Sequence, residues 1–92
     1  MTVAVLNGTT VQGLATKISE EAGAAGFNIG TVGNAARIDQ TRSTVLYGKG
    51  QGAAARAVAN RLGIQATGPV DSVNGEIAGS FDVVVVVGSD KS

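Results

Sequence analysis

The sequence predicts an α+β fold, a two-layer sandwich in which a mixed sheet of four or five strands carries two helices on one face, as a variant of the ferredoxin-like arrangement. The expected element order is β-α-β-β-α-β-β. The two halves resemble each other, because each has an apolar run, a glycine-bearing turn, an Ala-rich helical stretch and a glycine stop. Right-handed crossovers in both halves would put both helices on one face. Two helices rarely cover both faces of a sheet, so a three-layer, doubly wound sheet is the less favoured alternative.

Five segments have the pattern of β-strands. The first and last are apolar at nearly every position, which is typical of central strands. The second alternates apolar with polar or small residues, as a half-exposed strand does. The fourth is interrupted by Gly68-Pro69, which favours a position at the sheet edge. The predicted strands are residues 3–6, 27–32, 43–47, 64–70 and 81–87.

Two stretches carry apolar residues at helical spacing, over residues 11–25 and 55–62. Thr9 or Thr10 is expected to cap the first helix, with Gly13 inside its first turn. Gly26 is expected to end that helix in a left-handed conformation. Gly63 is expected to stop the second helix.

The apolar character of the first and last strands leaves two interpretations open. A two-layer fold leaves one sheet face without helices, yet these strands are apolar on both faces. Either that face is an exposed patch that binds a partner or a second copy of the chain, or loops such as residues 71–80 fold over it.

Composition excludes several classes of function. The 92 residues predict a single domain, with an ordered core at about residues 2–88. Seven basic and seven acidic residues leave no net charge to attract nucleic acid or an anionic membrane. The chain has no Cys and no His, no carboxylate pair placed for catalysis, and no apolar run long enough to span a bilayer. We therefore expect no catalytic residue, no metal site and no cofactor.

The glycine-bearing turns are the candidate ligand site. If the two crossover units start on neighbouring parallel strands, both turns lie at one sheet edge, where α/β sheets tend to bind ligands. The rim would then be neutral and rich in hydroxyls and amides, which suits sugars or peptide amides. The alternative is that Asn7 and Thr9 satisfy the turn backbone and residues 48–52 simply connect strand to helix. The candidate ligand-binding residues are Asn7, Gly8, Thr9, Thr10, Lys49 and Gln51.

A second candidate cluster lies in the polar loop of residues 33–42. Arg37 and Arg42 could contact an anion such as a carboxylate or phosphate. The alternative is a solvated surface set in which Asp39 forms a local ion pair worth about 0–1 kcal/mol.

Several motifs together resemble the LytR C-terminal domain, which is found in LytR-CpsA-Psr-type cell-envelope proteins. The motifs are Val5-Leu6-Asn7-Gly8-Thr9, Gly13-Leu14-Ala15, and Asp82 followed by five valines and Gly88. The resemblance implies a non-catalytic, extracytoplasmic module tethered by an N-terminal membrane anchor, binding peptidoglycan, another wall glycopolymer or an envelope protein. The catalytic arginines and aspartates of the related transferase domains have no counterpart here. The alternative function is a structural or dimerisation domain that works through an exposed apolar sheet face.

Overall fold

The computed structural model describes residues 2–35, 41–48, 50–64, 66–70 and 82–91. The predicted order of strands and helices is confirmed, with a short 3₁₀ turn at the carboxyl end. The elements are β1 (Thr2–Asn7), α1 (Leu14–Ala24), β2 (Asn28–Asn34), β3 (Thr44–Tyr47), α2 (Gly52–Leu62), β4 (Ala66–Pro69), β5 (Val83–Val87) and the 3₁₀ turn Ser89–Lys91.

The five strands form one mixed sheet in the order β2-β1-β5-β3-β4. β1 is parallel to both β2 and β5, whereas β3 is parallel to β4 and antiparallel to β5. Each helix therefore connects two adjacent parallel strands, and the two β-α-β units run in opposite directions. The last strand lies between them and joins them into one sheet.

Both helices pack on the same face of this sheet, as predicted. Side chains from both helices and from three strands form a single buried cluster, and Phe27, Ile29, Tyr47 and Ala54 pack at its margin. Because many of these side chains are Ala or Val, the helices can lie close to the strands. The cluster consists of Val3, Val5, Leu14, Ala15, Ile18, Ala22, Val45, Ala55, Val58, Ala59, Leu62, Ile64, Val83, Val85 and Val87.

The opposite face of the central strands is also buried. Ala4, Leu6 and Val84 have no exposed surface, and Ala35 belongs to the same cluster. Of the two interpretations left open by the sequence, an exposed apolar patch on β1 and β5 is therefore wrong. Residues 71–80, named as the alternative cover, lie outside the described residues.

The amino terminus of α1 differs from the prediction. The helix begins at Leu14, and Gly13 precedes it as the N-cap with φ of 81°, a left-handed conformation that favours glycine. No side chain caps this end, so the prediction that Thr9 or Thr10 caps α1 is wrong. Thr9 cannot do so because its hydroxyl is used within the preceding loop.

The carboxyl ends of both helices agree with the prediction. Gly26 has φ of 99° and follows α1, where the Gly26 N–H donates to the Gly23 carbonyl and the Phe27 N–H donates to the Ala22 carbonyl. These two bonds form a Schellman motif. Gly63 ends α2 in the same left-handed region. Neither of these helices, nor the 3₁₀ turn, is long and apolar enough to cross a membrane.

Candidate functional site

The two glycine-bearing turns lie at opposite ends of the strands. Asn7, at the end of β1, pairs with Val87 at the end of β5, whereas Tyr47, at the end of β3, pairs with Val83 at its start. The prediction that both turns share one rim is therefore wrong. It assumed that β1 and β3 are parallel neighbours, but β5 lies between them and runs antiparallel to β3.

Gln51, which was predicted from the second turn, cannot contribute to a site at Asn7. Gln51 is the N-cap of α2, at the end of the strands opposite to Asn7, and its side chain forms no capping hydrogen bond. Its backbone N–H donates to the Gly48 carbonyl at 3.0 Å, so it belongs to the turn after β3. Lys49 lies outside the described residues.

The loop after β1 is built around the side chain of Asn7. Its Oδ1 accepts hydrogen bonds from the Thr9 N–H at 2.9 Å and from the Thr9 hydroxyl at 2.7 Å. Its Nδ2 donates to the Val11 carbonyl at 2.7 Å, and the Thr9 hydroxyl oxygen accepts the Val11 N–H at 3.1 Å. Asn7 and Thr9 therefore hold the loop in one conformation, as the structural alternative anticipated.

Burial separates the residues that build this loop from those that can meet a ligand. Asn7 and Thr9 are only 6% and 7% exposed. Gly8 is also buried, and its N–H donates to the Val87 carbonyl at 2.8 Å, which ties the loop to β5. Thr10 is exposed. Ligand binding by these four residues stays a prediction, and the geometry assigns three of them to support and Thr10 to the surface.

Two adjoining cavities lie beside this loop, and we call them together the β1–β2 groove. Their volumes are about 170 Å³ and about 370 Å³. They share Asn7, Gly13 and Asn34 as lining residues. The groove lies between the loop and first turn of α1 on one side and the end of β2 on the other. Its remaining lining residues are Thr9, Thr10, Val11, Gln12, Ala15, Thr16, Val32 and Gly33.

The chemistry of the groove is polar but uncharged. Its lining residues contribute amides, hydroxyls and backbone groups, and none of them is acidic or basic. Val11 and Val32 are the exposed large apolar residues found among the described ranges, at 44% and 43% exposure. Both of them line the groove, so it offers apolar contacts beside its polar groups.

A β-bulge sets which residues of β2 face the groove. The pairing of β1 with β2 shifts between Val3, which pairs with Ile29, and Val5, which pairs with Val32. The bulge inserts one extra residue into β2, so Ile29 and Val32 lie on the same sheet face although they are three positions apart. Val32 therefore lies on the face of Val5, which carries the helices. Asn34 follows on that face as the partner of Asn7.

Val32 and Asn34 were not among the predicted site residues. The second strand was predicted to end at residue 32, with residue 34 in a loop, whereas β2 continues to Asn34. The signal that could have found the bulge is the glycine inside the strand pattern at Gly30.

A group of polar contacts centred on the buried Ser43 lies at this same end of the strands, where β5 ends and β3 begins. The Ser43 hydroxyl donates to Asp90 Oδ1 at 2.6 Å, and its oxygen accepts the Gly88 N–H at 2.8 Å. A Cβ at Gly88 would lie 2.5 Å from the carbonyl carbon of Arg42, so the two backbones pack directly. Asp90 lies beyond the predicted ordered core of residues 2–88, and this contact was not among the expectations.

The second predicted cluster is described only in part. Arg42 is exposed and precedes Ser43, next to the start of β3. Arg37 and Asp39 lie outside the described residues, so anion binding by Arg37 and Arg42 stays a prediction. Within the described part of the chain, no three acidic, histidine or cysteine side chains are grouped to hold a metal ion.

A third cavity, of about 520 Å³, lies between the two helices. Unlike the β1–β2 groove it carries charge of both signs, from Glu21 and Arg61. Ala24, Ala25 and Asn60 complete its lining. The groove remains the stronger candidate, because it lies at the carboxyl ends of parallel strands and its loop is held by a buried hydrogen-bond network.

Comparisons with known proteins relate the chain to one family. Among solved structures, the solution structure of the C-terminal domain of RV0431 is similar, with 27% sequence identity and a TM-score of 0.51. That match covers 95% of this chain and 70% of the other. A comparison with curated proteins found no match. The family model LytR_C, described as LytR cell envelope-related transcriptional attenuator, matches residues 1–90. Since this match spans nearly the whole sequence, the chain belongs to the LytR_C family, a family of cell-envelope-associated domains.

Proposed function

We propose that this chain is a non-catalytic binding module of the cell envelope, and that it holds a wall glycopolymer or an envelope protein in the β1–β2 groove. The observation that carries the proposal is the uncharged, amide- and hydroxyl-rich lining of that groove. Binding sites of this kind gain specificity from a few well-placed polar groups beside apolar contacts. Membership in a family of cell-envelope-associated domains supports an envelope ligand for such a site.

The chemistry of the chain supports binding rather than catalysis. It contains neither His nor Cys, the side chains that most often act as general base or nucleophile near neutral pH. Asp82 accepts the Thr2 N–H at 2.7 Å, and Asp90 holds Ser43, so both carboxylates serve the fold. No carboxylate lines the groove.

We propose an extracytoplasmic location for the domain, and the cell-envelope association of its family supports this proposal. A module that meets wall polymer works on the extracytoplasmic side, and a membrane anchor located amino-terminal to the domain would keep it there. The zero net charge agrees with a role that does not depend on attraction to anionic lipid.

The alternative function, dimerisation through an exposed apolar sheet face, requires a face that is buried in this structure. That face consists of Ala4 and Leu6 on β1 and of Val84 and Val86 on β5, all of which are buried. These four side chains therefore offer no surface to a second copy of the chain.

The proposal is tested by co-sedimentation with two preparations, purified peptidoglycan sacculi stripped of protein and membranes that retain envelope proteins. We expect the wild-type chain to be retained by at least one of them. The variant Asn34→Glu puts a charge in the groove without touching the core, and we expect about tenfold weaker retention, the effect of one uncompensated charge.

The matched control is Thr67→Glu, which adds the same charge at an exposed position on β4, the opposite edge strand. Its retention should equal that of the wild type. Absence of wild-type retention on both preparations, or equal retention of Asn34→Glu and wild type, would contradict the proposal.

A further inference from the structure

We propose that the β1–β2 groove binds an extended, uncharged peptide segment, which adds as a sixth strand along the outer edge of β2. This inference rests on the proposed function, and it selects a protein partner over a glycan. Strand addition uses main-chain hydrogen bonds for affinity and side-chain pockets for specificity.

The two edges of the described sheet are protected to different degrees. β4 has four residues and ends in Pro69, which has no N–H to donate. β2 has seven residues, none of them charged and none of them proline. Proteins commonly block edge strands with short length, charge, proline or a bulge. On β2 the bulge affects only the middle of the strand, so its last three residues, 32–34, continue as a regular edge.

The outward backbone groups of this edge can be assigned from the ladder. Asn34 pairs with Asn7, and the Ala35 N–H donates to the Asn7 carbonyl at 3.0 Å. In a parallel ladder this pattern turns the backbone groups of residues 33 and 35 toward β1. The N–H and C=O of Val32 and Asn34 consequently point away from β1, toward the side on which the described residues form no further strand.

The side chains at this edge match an uncharged peptide. Val32 is 43% exposed, and Asn34 and Thr16 are exposed beside it. A charged side chain placed here would lose water without gaining a partner, because no lining residue carries charge. None of the lining residues is aromatic, so the groove has no flat surface on which a sugar ring could stack.

The test is an NMR titration of the ¹⁵N-labelled chain with a blocked hexapeptide that alternates threonine and valine. We expect saturable shifts of the amides of Val32 and Asn34 and of the loop at residues 8–13. A peptide of the same sequence, N-methylated at every second amide, cannot donate along one edge. Two such peptides are compared, each N-methylated along a different edge. The peptide whose methyl groups face β2 should lose binding, and the other should keep it.

Two variants localise the site. Val32→Lys adds a charge to the exposed edge, and we expect about tenfold weaker peptide binding, because a lysine on an edge strand opposes pairing with another chain. Thr67→Lys makes the same kind of change on β4 and should leave the affinity unchanged.

Three results would overturn the inference. The first is no shift with the hexapeptide, with or without shifts at the groove from tetra-N-acetylchitotetraose, a neutral glycan. The second is equal binding by both N-methylated peptides. The third is a concentration-dependent shift of the β2 amides without any peptide, which would assign this edge to a second copy of the chain. If envelope retention still depends on Asn34 while the hexapeptide does not bind, the proposed function stands and this inference falls.

Discussion

The hydroxyl of Ser43 donates a 2.6 Å hydrogen bond to Oδ1 of Asp90, although the two residues are 47 positions apart in the chain. The Ser43 N–H reaches the same carboxylate at 3.1 Å, and the Asp90 N–H donates to the Thr41 carbonyl at 3.1 Å. Ser43 is almost completely buried. These bonds hold the carboxyl-terminal turn against the start of β3, at the same end of the strands as the β1–β2 groove.

Replacing Ser43 with Ala should therefore destabilise the domain. The change removes the acceptor of the buried Gly88 N–H and the donor to Asp90, and we expect a loss of about 2–3 kcal/mol in the free energy of unfolding. Urea denaturation measures this loss. The matched control, Ser19→Ala, removes a hydroxyl that bonds the Thr16 carbonyl on the exposed face of α1, and should change stability by less than about 0.5 kcal/mol. Equal effects of the two changes would show that the Ser43 contact contributes little.

Gly88→Ala tests the close approach between β5 and the residue before Ser43. The added Cβ would lie 2.5 Å from backbone carbon and 2.8 Å from backbone nitrogen of Arg42, and backbone atoms cannot rotate away as a side chain can. We expect a loss of about 3 kcal/mol, at the upper end of the range for overpacking. In Gly68→Ala the new Cβ meets nothing within 4 Å, so that variant should stay within about 1 kcal/mol of wild type. Thermal melts of both variants decide the comparison, and a stable Gly88→Ala protein would contradict the packing.

Asn7→Ala should disorder the loop after β1. Without the amide, the buried Thr9 N–H and hydroxyl lose their acceptor and the Val11 carbonyl loses its donor. We expect a loss of about 2–3 kcal/mol in stability. Hydrogen exchange should also accelerate at the amides of Thr9 and Val11. Asn60→Ala, at an exposed position of α2, serves as the control, and unchanged exchange in Asn7→Ala would refute the network.

Gly13 and Gly23 should respond to alanine in opposite directions. Gly13 has φ of 81°, so Gly13→Ala forces an L side chain into the left-handed region at a cost of about 1–2 kcal/mol. Gly23 lies inside α1, and a Cβ there would meet only Ile29 Cγ1 at 4.0 Å, an ordinary contact. Gly23→Ala should therefore stabilise the chain by about 0.5–1 kcal/mol. Differential scanning calorimetry should show Tm shifts of opposite sign, and shifts of the same sign would contradict this account.

Local features of this fold were predictable from the residues. The unbroken apolar run of five valines predicts a central strand, and β5 is buried on both faces. Gly26 and Gly63 predict where the helices end, because a left-handed residue closes the hydrogen bonding of the last turn. The turn-building role of Asn7 and Thr9 was also among the expectations, since these side chains bond to backbone groups two to four residues away.

The candidate site depended on contacts that no local pattern specifies. The residues of β3 do not themselves favour parallel or antiparallel pairing. The two turns lie at opposite ends of the strands only because β5 is inserted between β1 and β3. The bulge that brings Val32 and Asn34 to the groove depends on the register with β1.

The sequence by itself determined the order of the elements, the buried faces of the two helices and the glycines that end them, because each of these depends on residues within one or two turns of chain. The tertiary structure alone decided the direction of β3, the position of the groove and the bond between Ser43 and Asp90. Such pairings join residues that are far apart in the chain, and their free energy depends on all the strands that compete for the same partner.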